Sequence, residues 1–378
     1  MKGYLKKRGW LLMAAMLMIA LAAPALSQNA AYDDLVLACA DVRAAVYERK
    51  TETAFFLSET GVAGRSKAVI RDLITDVLEG YQRYSIGMEE RNGGMDITIE
   101  GDLRPSLKIL DAWETGDRSQ LTQSENACMD AALEIVDRCR AGAKSALEIE
   151  RRLYDAICGH AAYELGPGMA HYGSEEYLYV TTCIGGILGG KAQCLGYSEV
   201  FYLLAKLAGL DVSMQYGYAG GDLGSAKHAW NVVRLGGKNY MVDVCWGDTS
   251  GDSFAPDTPD YRYFNVGLDC MPEGRHPSPE AQIAQISETT DLALTAFGGV
   301  GPGVICKDLS EALDYVINGH HEGREYAHIF IPEAKITTKD VDPQMNERRS
   351  QAGIKTKWGR LAHELGNGTY LIFRWVFE

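Results

Sequence analysis

Apolar positions along the chain recur with two periods. Recurrence every third or fourth residue predicts helices over 33–50 (Leu35, Val36, Cys39, Val42), 66–78 (Val69, Ile70, Leu73, Ile74, Leu78), 124–140, 144–162 (Ile149, Leu153, Ile157, Ala161), 309–317 and 338–352. The helix at 124 opens Ser-Glu-Asn-Ala rather than with a full capping box. Alternation predicts strands over 53–57, 84–88, 95–99, 211–218, 226–235, 238–246, 326–331 and 369–377. One stretch fits neither pattern. Glu199 to Ala208 is apolar nearly all round, which marks a helix buried on most sides, and Gly209 ends it. The fold class expected is α+β.

Asn92-Gly93-Gly94 and Gly236-Gly237 are hairpin turns by composition. A two-residue turn at Gly236-Gly237 pairs Leu235 with Lys238. Counting back, Trp230 meets Asp243 and His228 meets Cys245, all on one face of the sheet. His228 and Asp243 become diagonal neighbours within reach of each other. A slip of one residue in the turn would separate them. The order helix–strand–helix–strand near both ends suggests a duplicated flanking domain, which matching strand orders would support.

The first 27 residues depart from this pattern. A basic start (Lys2, Lys6, Lys7, Arg8) precedes an apolar run from Trp10 to Ala23, then Pro24-Ala25-Leu26-Ser27. This reads as a signal peptide cleaved after Ser27, with an uncleaved anchor as the rival, and it places the mature protein in a secreted or cell-envelope location. The domains expected are 1–27 signal peptide, 28–140 N-terminal α/β extension, 141–285 core and 286–378 C-terminal α/β domain. The extensions serve substrate docking or simply pack on the core.

The 378 residues are 46% apolar and 23% charged, an ordinary globular balance. A net charge of −14 argues against nucleic acid and anionic membrane surfaces as partners. Export would permit disulfides among the nine cysteines, and reserving one as a nucleophile leaves an even eight. No Cys-x-x-Cys pair suggests zinc, and Asp248, Asp252 and Asp257 are poorly spaced for a metal. No metal or cofactor is expected. The glycine-rich stretch 219–225 lacks the Lys-Ser/Thr of a phosphate loop, leaving a lid beside His228 as its functional reading. Tyrosines 163, 172, 177 and 179 around the loop after residue 164 suit a cleft for peptides.

Cys194 begins the buried helix. Unpaired N–H groups and the positive end of the helix dipole at that point favour a thiolate and could receive an oxyanion. With His228 as proton carrier and Asp243 orienting its ring, the three form a nucleophilic constellation. Cys245 is a second thiol on the same face, but it begins no helix and is assigned to packing.

These residues carry a resemblance. Gly190-Lys191-Ala192-Gln193-Cys194-Leu195-Gly196-Tyr197, Lys227-His228-Ala229-Trp230-Asn231 and Val242-Asp243-Val244-Cys245-Trp246 resemble the transglutaminase-like core, in its bacterial form, over about residues 145 to 266. The resemblance implies a papain-like fold, a Cys-bearing helix packed on an antiparallel sheet that carries His and Asp. It implies Cys194, His228 and Asp243 as the triad, and protein or peptide acyl groups as substrates for hydrolysis or transamidation. Gln193, Tyr197, Trp230 and Trp246 are candidates for substrate or oxyanion contacts. The calcium sites of animal transglutaminases have no counterpart here. Some family members serve as non-catalytic scaffolds, which is the alternative expectation.

Overall fold

A computed structural model describes residues 30–166, 173–219, 226–252, 254–255, 258–271, 276–277 and 286–377. The expected signal peptide, most of the glycine-rich stretch before His228, Tyr172 and Asp257 lie outside these residues. The chain divides into two compact units, with the boundary after Arg104.

The first unit is a four-stranded sheet with helices. Its elements are β1 (Ala30–Tyr32), α1 (Leu35–Tyr47), β2 (Glu52–Leu57), α2 (Glu59–Val62), α3 (Lys67–Thr75), β3 (Tyr81–Arg91) and β4 (Gly94–Leu103). Strand order is β1-β2-β4-β3, with β1 parallel to β2 and the other pairs antiparallel. Asp34 caps α1 by accepting from Val36 N. Positive φ at Asn92 and Gly93 closes the β3–β4 hairpin in two residues, as that dipeptide predicts.

The second unit holds the rest. Helices α4 (Pro105–Thr115), α5 (Gln123–Arg140), α6 (Ala146–Cys158), α7 (Glu175–Val180) and α8 (Cys183–Leu188) surround α9 (Cys194–Leu207), and the short strands β5 (Ala162–Tyr163) and β6 (Lys191–Ala192) pair ahead of it. Residues 105–140, grouped by sequence with the N-terminal extension, fall in this unit. Glu199 on α9 shows why: its wholly buried carboxylate accepts from Ser106 N at 2.9 Å and Cys183 N at 3.1 Å, joining the starts of α4 and α8 to α9. The start of α5 corrects the sequence reading. Thr122 and Glu125 form a complete capping box, its cap residue two positions before Ser124.

α9 packs on an antiparallel sheet of β7 (Val212–Ala219), β8 (Ala226–Leu235), β9 (Lys238–Val242), β10 (Phe264–Val266) and β11 (His276–Pro277), in the order β10-β9-β8-β7-β11. A one-turn helix, α10 (Val244–Gly247), follows β9 directly. This is the α+β arrangement expected, with a buried Cys-bearing helix on an antiparallel sheet.

A second four-stranded sheet closes the unit: β12 (Gly303–Ile305), α11 (Leu309–His321), β13 (Tyr326–Pro332), α12 (Thr338–Gln351), β14 (Lys357–Leu365) and β15 (Gly368–Val376). Its order, β12-β13-β15-β14, and its strand senses repeat those of the first unit. One face packs on α11 and α12 through Leu371, Phe373 and Trp375. The other lies on the core: His328 bonds Thr258 Oγ1 at 2.7 Å, Arg262 bonds His363 at 2.9 Å, and Phe297 packs on the rings of Phe330 and Tyr370. The nine cysteines are free thiols in this structure, and the Cys128 and Cys183 sulfurs lie 3.9 Å apart.

Candidate active site

The β8–β9 hairpin sets the site. Gly236 and Gly237 both have positive φ, Leu235 faces Lys238, and the pairing runs unbroken back to Asn231 opposite Val242. The ladder ends there, because Asp243 N is drawn to Tyr263 O at 2.9 Å and its side chain caps α10. Cys245 therefore sits in α10 rather than opposite His228, which corrects the extended pairing. Asp243 remains where the register points it.

Asp243 is wholly buried and uses both oxygens. Oδ2 lies 2.8 Å from His228 Nε2, and Oδ1 accepts from Trp246 N at 3.1 Å. His228, 8% exposed, makes its other contact with the Cys194 side chain. Burial alone would lower the imidazole pKa. The Asp243 carboxylate, by charge and hydrogen bond, and then Cys194 overcome it and raise the pKa to about 9. The ring is thus held between thiol and carboxylate in a setting that favours the imidazolium.

Cys194 is the first residue of α9 and is half-buried. The cap residue Gln193 makes no side-chain bond to the first-turn N–H groups; its amide donates to Glu164 O at 3.2 Å instead. Among the described residues no group of His, Cys, Asp and Glu side chains is arranged to hold a metal ion.

The other candidates divide by exposure. Trp246 is 46% exposed and presents an edge to His228 with ring centroids 5.9 Å apart, so it can meet a substrate. Trp230 is buried and stacks against the imidazole at 5.8 Å, which makes it a support of the ring and not a substrate contact. Tyr197 is wholly buried and its hydroxyl donates to Asp248, so it cannot reach an oxyanion. Tyr163, named in the sequence only as a cleft tyrosine, stands closer to the chemistry. It pairs with Ala192 two residues before Cys194 and is half-exposed. Burial first, then the nearby Cys194 and Cys245, push its phenol up to about 12, so it stays a hydrogen-bond donor. The parallel β5–β6 pairing that brings it there has too few residues to be seen in a periodicity.

Residues 133–244 match the model of the transglutaminase-like superfamily. Human kyphoscoliosis peptidase is 30% identical over 164 residues, 41% of this chain and 24% of that protein. Its mouse counterpart is 30% identical over 133 residues, 32% of this chain and 19% of that protein. The chain thus spans a quarter or less of these relatives. A crystal structure of a TGase aligns with 51% of this chain and 50% of its own at 14% identity, with a TM-score of 0.28. The matched segment contains Cys194, His228 and Asp243, so the similarity to the transglutaminase-like superfamily falls on the stretch that carries the site.

Proposed function

We propose that the chain is an exported cysteine enzyme that opens amide bonds of proteins or peptides through a thioacyl intermediate on Cys194. The observation that carries this reading is the His228 ring held between the thiol at the start of α9 and a wholly buried Asp243. Cys194 Sγ attacks the acyl carbon of a peptide bond or a glutamine side chain, and the C–N bond breaks as His228 gives its proton to the departing nitrogen. Water or an amine then attacks the thioester, His228 takes a proton from it, and the thiolate leaves. In this reading the first-turn N–H groups of α9 receive the oxyanion, and the Tyr163 hydroxyl, near the thiol, is a further candidate donor. Hydrolysis is favoured over transfer, since water needs no second binding site. The word peptidase in the names of the human and mouse relatives agrees with it over the length matched. The basic and apolar start of the sequence supports export.

The test is the rate of Cys194 alkylation against pH, in the mature protein and in His228→Ala, followed by a screen of protein and peptide substrates for ammonia release and cleavage. Rapid labelling well below the ordinary thiol range, abolished in the variant, is expected. An ordinary thiol titration indifferent to His228 would leave a non-catalytic scaffold.

A further inference from the structure

We propose that Tyr197 and Asp248 are a positioning pair that fixes the turn bearing Asp243 and Trp246 against the helix bearing Cys194. This rests on the catalytic reading above. Tyr197 lies about one turn beyond Cys194 on α9, and its hydroxyl donates to Asp248 Oδ2. Asp248 is the residue after α10, the helix that Asp243 caps, and its Oδ1 accepts from Ser250 N at 2.8 Å. The next residue on α9 makes a second tie. Ser198 donates its hydroxyl to Trp230 O at 2.9 Å, and Asn231 Nδ2 donates to Ser198 O at 3.0 Å. Two consecutive positions of the nucleophile helix are therefore fastened to the strand of His228 and to the turn of Asp243.

The first tie is the vulnerable one. α10 is a single turn and has little stability of its own, whereas β8 is held by pairing on both sides. The thiols of Cys245 and Cys158 also face the Tyr197 phenol, and neither supplies a tie comparable to the carboxylate. Loss of the hydroxyl–carboxylate bond would let the turn drift, moving the edge of Trp246 and the Asp243 carboxylate relative to the imidazole. Such misplacement lowers reactivity without unfolding the protein.

Peptide-resolved mass spectrometry of Cys194 alkylation at pH 5 to 8 tests this in Tyr197→Phe, Asp248→Ala, Asp248→Asn and the double variant Tyr197→Phe/Asp248→Ala. Tyr197→Phe and Asp248→Ala should each slow labelling at low pH roughly tenfold and move the profile upward. The double variant should be no slower than either single one. Asp248→Asn, whose single amide oxygen can accept from the phenol at the expense of the Ser250 N–H, should keep more of the rate than Asp248→Ala. Wild-type profiles in the folded variants, with or without a lower melting temperature, would overturn the proposal, as would Asn behaving like Ala. A wild-type profile already indifferent to His228→Ala would instead remove the catalytic reading and this role with it.

A separate observation carries a second inference. One shift, 274 residues (309 minus 35), takes α1 onto α11, end to end. The same shift takes the cap Asp34 onto the cap Asp308, and the pair Ala30–Phe55 onto Val304–Ile329. It also takes Thr53–Ile99 onto Ala327–Phe373, and the hairpin pair Arg91–Gly94 onto Leu365–Gly368. Buried Ala38, Val42, Leu57 and Ile97 fall on buried Ala312, Val316, Ile331 and Leu371. The modules differ in two places: the one-turn helix α2 has no helical counterpart at 333–336, and α12 extends beyond the shifted bounds of α3 at both ends. We infer that the two terminal sheets are copies of one βαβαββ module, with the core lying between them in the chain. Sequence profiles built separately from relatives of each module should align to one another in this register. A best alignment in another register, or none above chance, would overturn it.

Discussion

Glu150 on α6 is wholly buried, with Oε2 accepting from Asn265 Nδ2 at 3.3 Å and Oε1 unmatched among the described residues. Burial pushes its carboxyl from the usual 4.5 up to about 8. Between those values the folded chain holds a proton that the unfolded chain has released, so stability must fall as pH rises through that window. His228 acts in the same direction between 6.5 and about 9. Glu150→Gln keeps an acceptor for Asn265 and cannot titrate. Its urea midpoint should decline less than that of the wild type from pH 5 to pH 8, and parallel declines would show that Glu150 is ionised throughout. The residues a sequence can reveal are those whose motif and register coincide, as with Cys194, His228 and Asp243. Tyr197 sat in the same motif, yet its hydroxyl points to a carboxylate 51 positions on. No local pattern encodes such a partner.

Elements were legible in proportion to their length and regularity. The β8–β9 register followed from Gly236-Gly237, because two residues of positive φ permit only a tight turn. Strand β14 was missed, since Lys357 to Leu365 has no clean alternation and is half-buried on both sides. The break after Val242 was also missed. What ends β9 there is tertiary: the pull of Tyr263 O and the space beside α6. Gly247 shows how tight that space is. A Cβ on it would lie 1.6 Å from Tyr154 Oη, which itself donates to Asp260 O at 2.9 Å. Gly247→Ala should cost about 1–3 kcal/mol by thermal unfolding. The loss should be smaller in a Tyr154→Phe background, where the clashing oxygen is gone, and equal losses in both backgrounds would refute the steric account.

Across the molecule, equivalent sheet faces have diverged. On β4 the outward side carries Asp96, Thr98 and Glu100, with Thr98 and Glu100 exposed. Their counterparts on β15 are Tyr370, Ile372 and Arg374, and that side lies against the core, where Arg374 donates to Phe254 O at 2.8 Å. Ile372→Glu should therefore unfold or strongly destabilise the protein, by about 3 kcal/mol or more. Thr98→Glu should leave the melting temperature within about a degree or two. Similar effects at the two positions would contradict the assignment of faces. Fold class was readable because it rests on periodicity. The use of each face was not, because it depends on what the fold sets against it.

One carboxylate ties these scales together, and its double use bears on how such a chain would decay. Asp243 caps α10 with one oxygen and holds His228 with the other, so its removal costs folding as well as the proposed chemistry. Cys194 is half-buried at a helix start, and a small residue there would cost folding little. Drift after a loss of selection for activity should therefore erase the cysteine first and the aspartate last. Inactive descendants would be recognised by an intact His–Asp pair facing a serine, alanine or glycine.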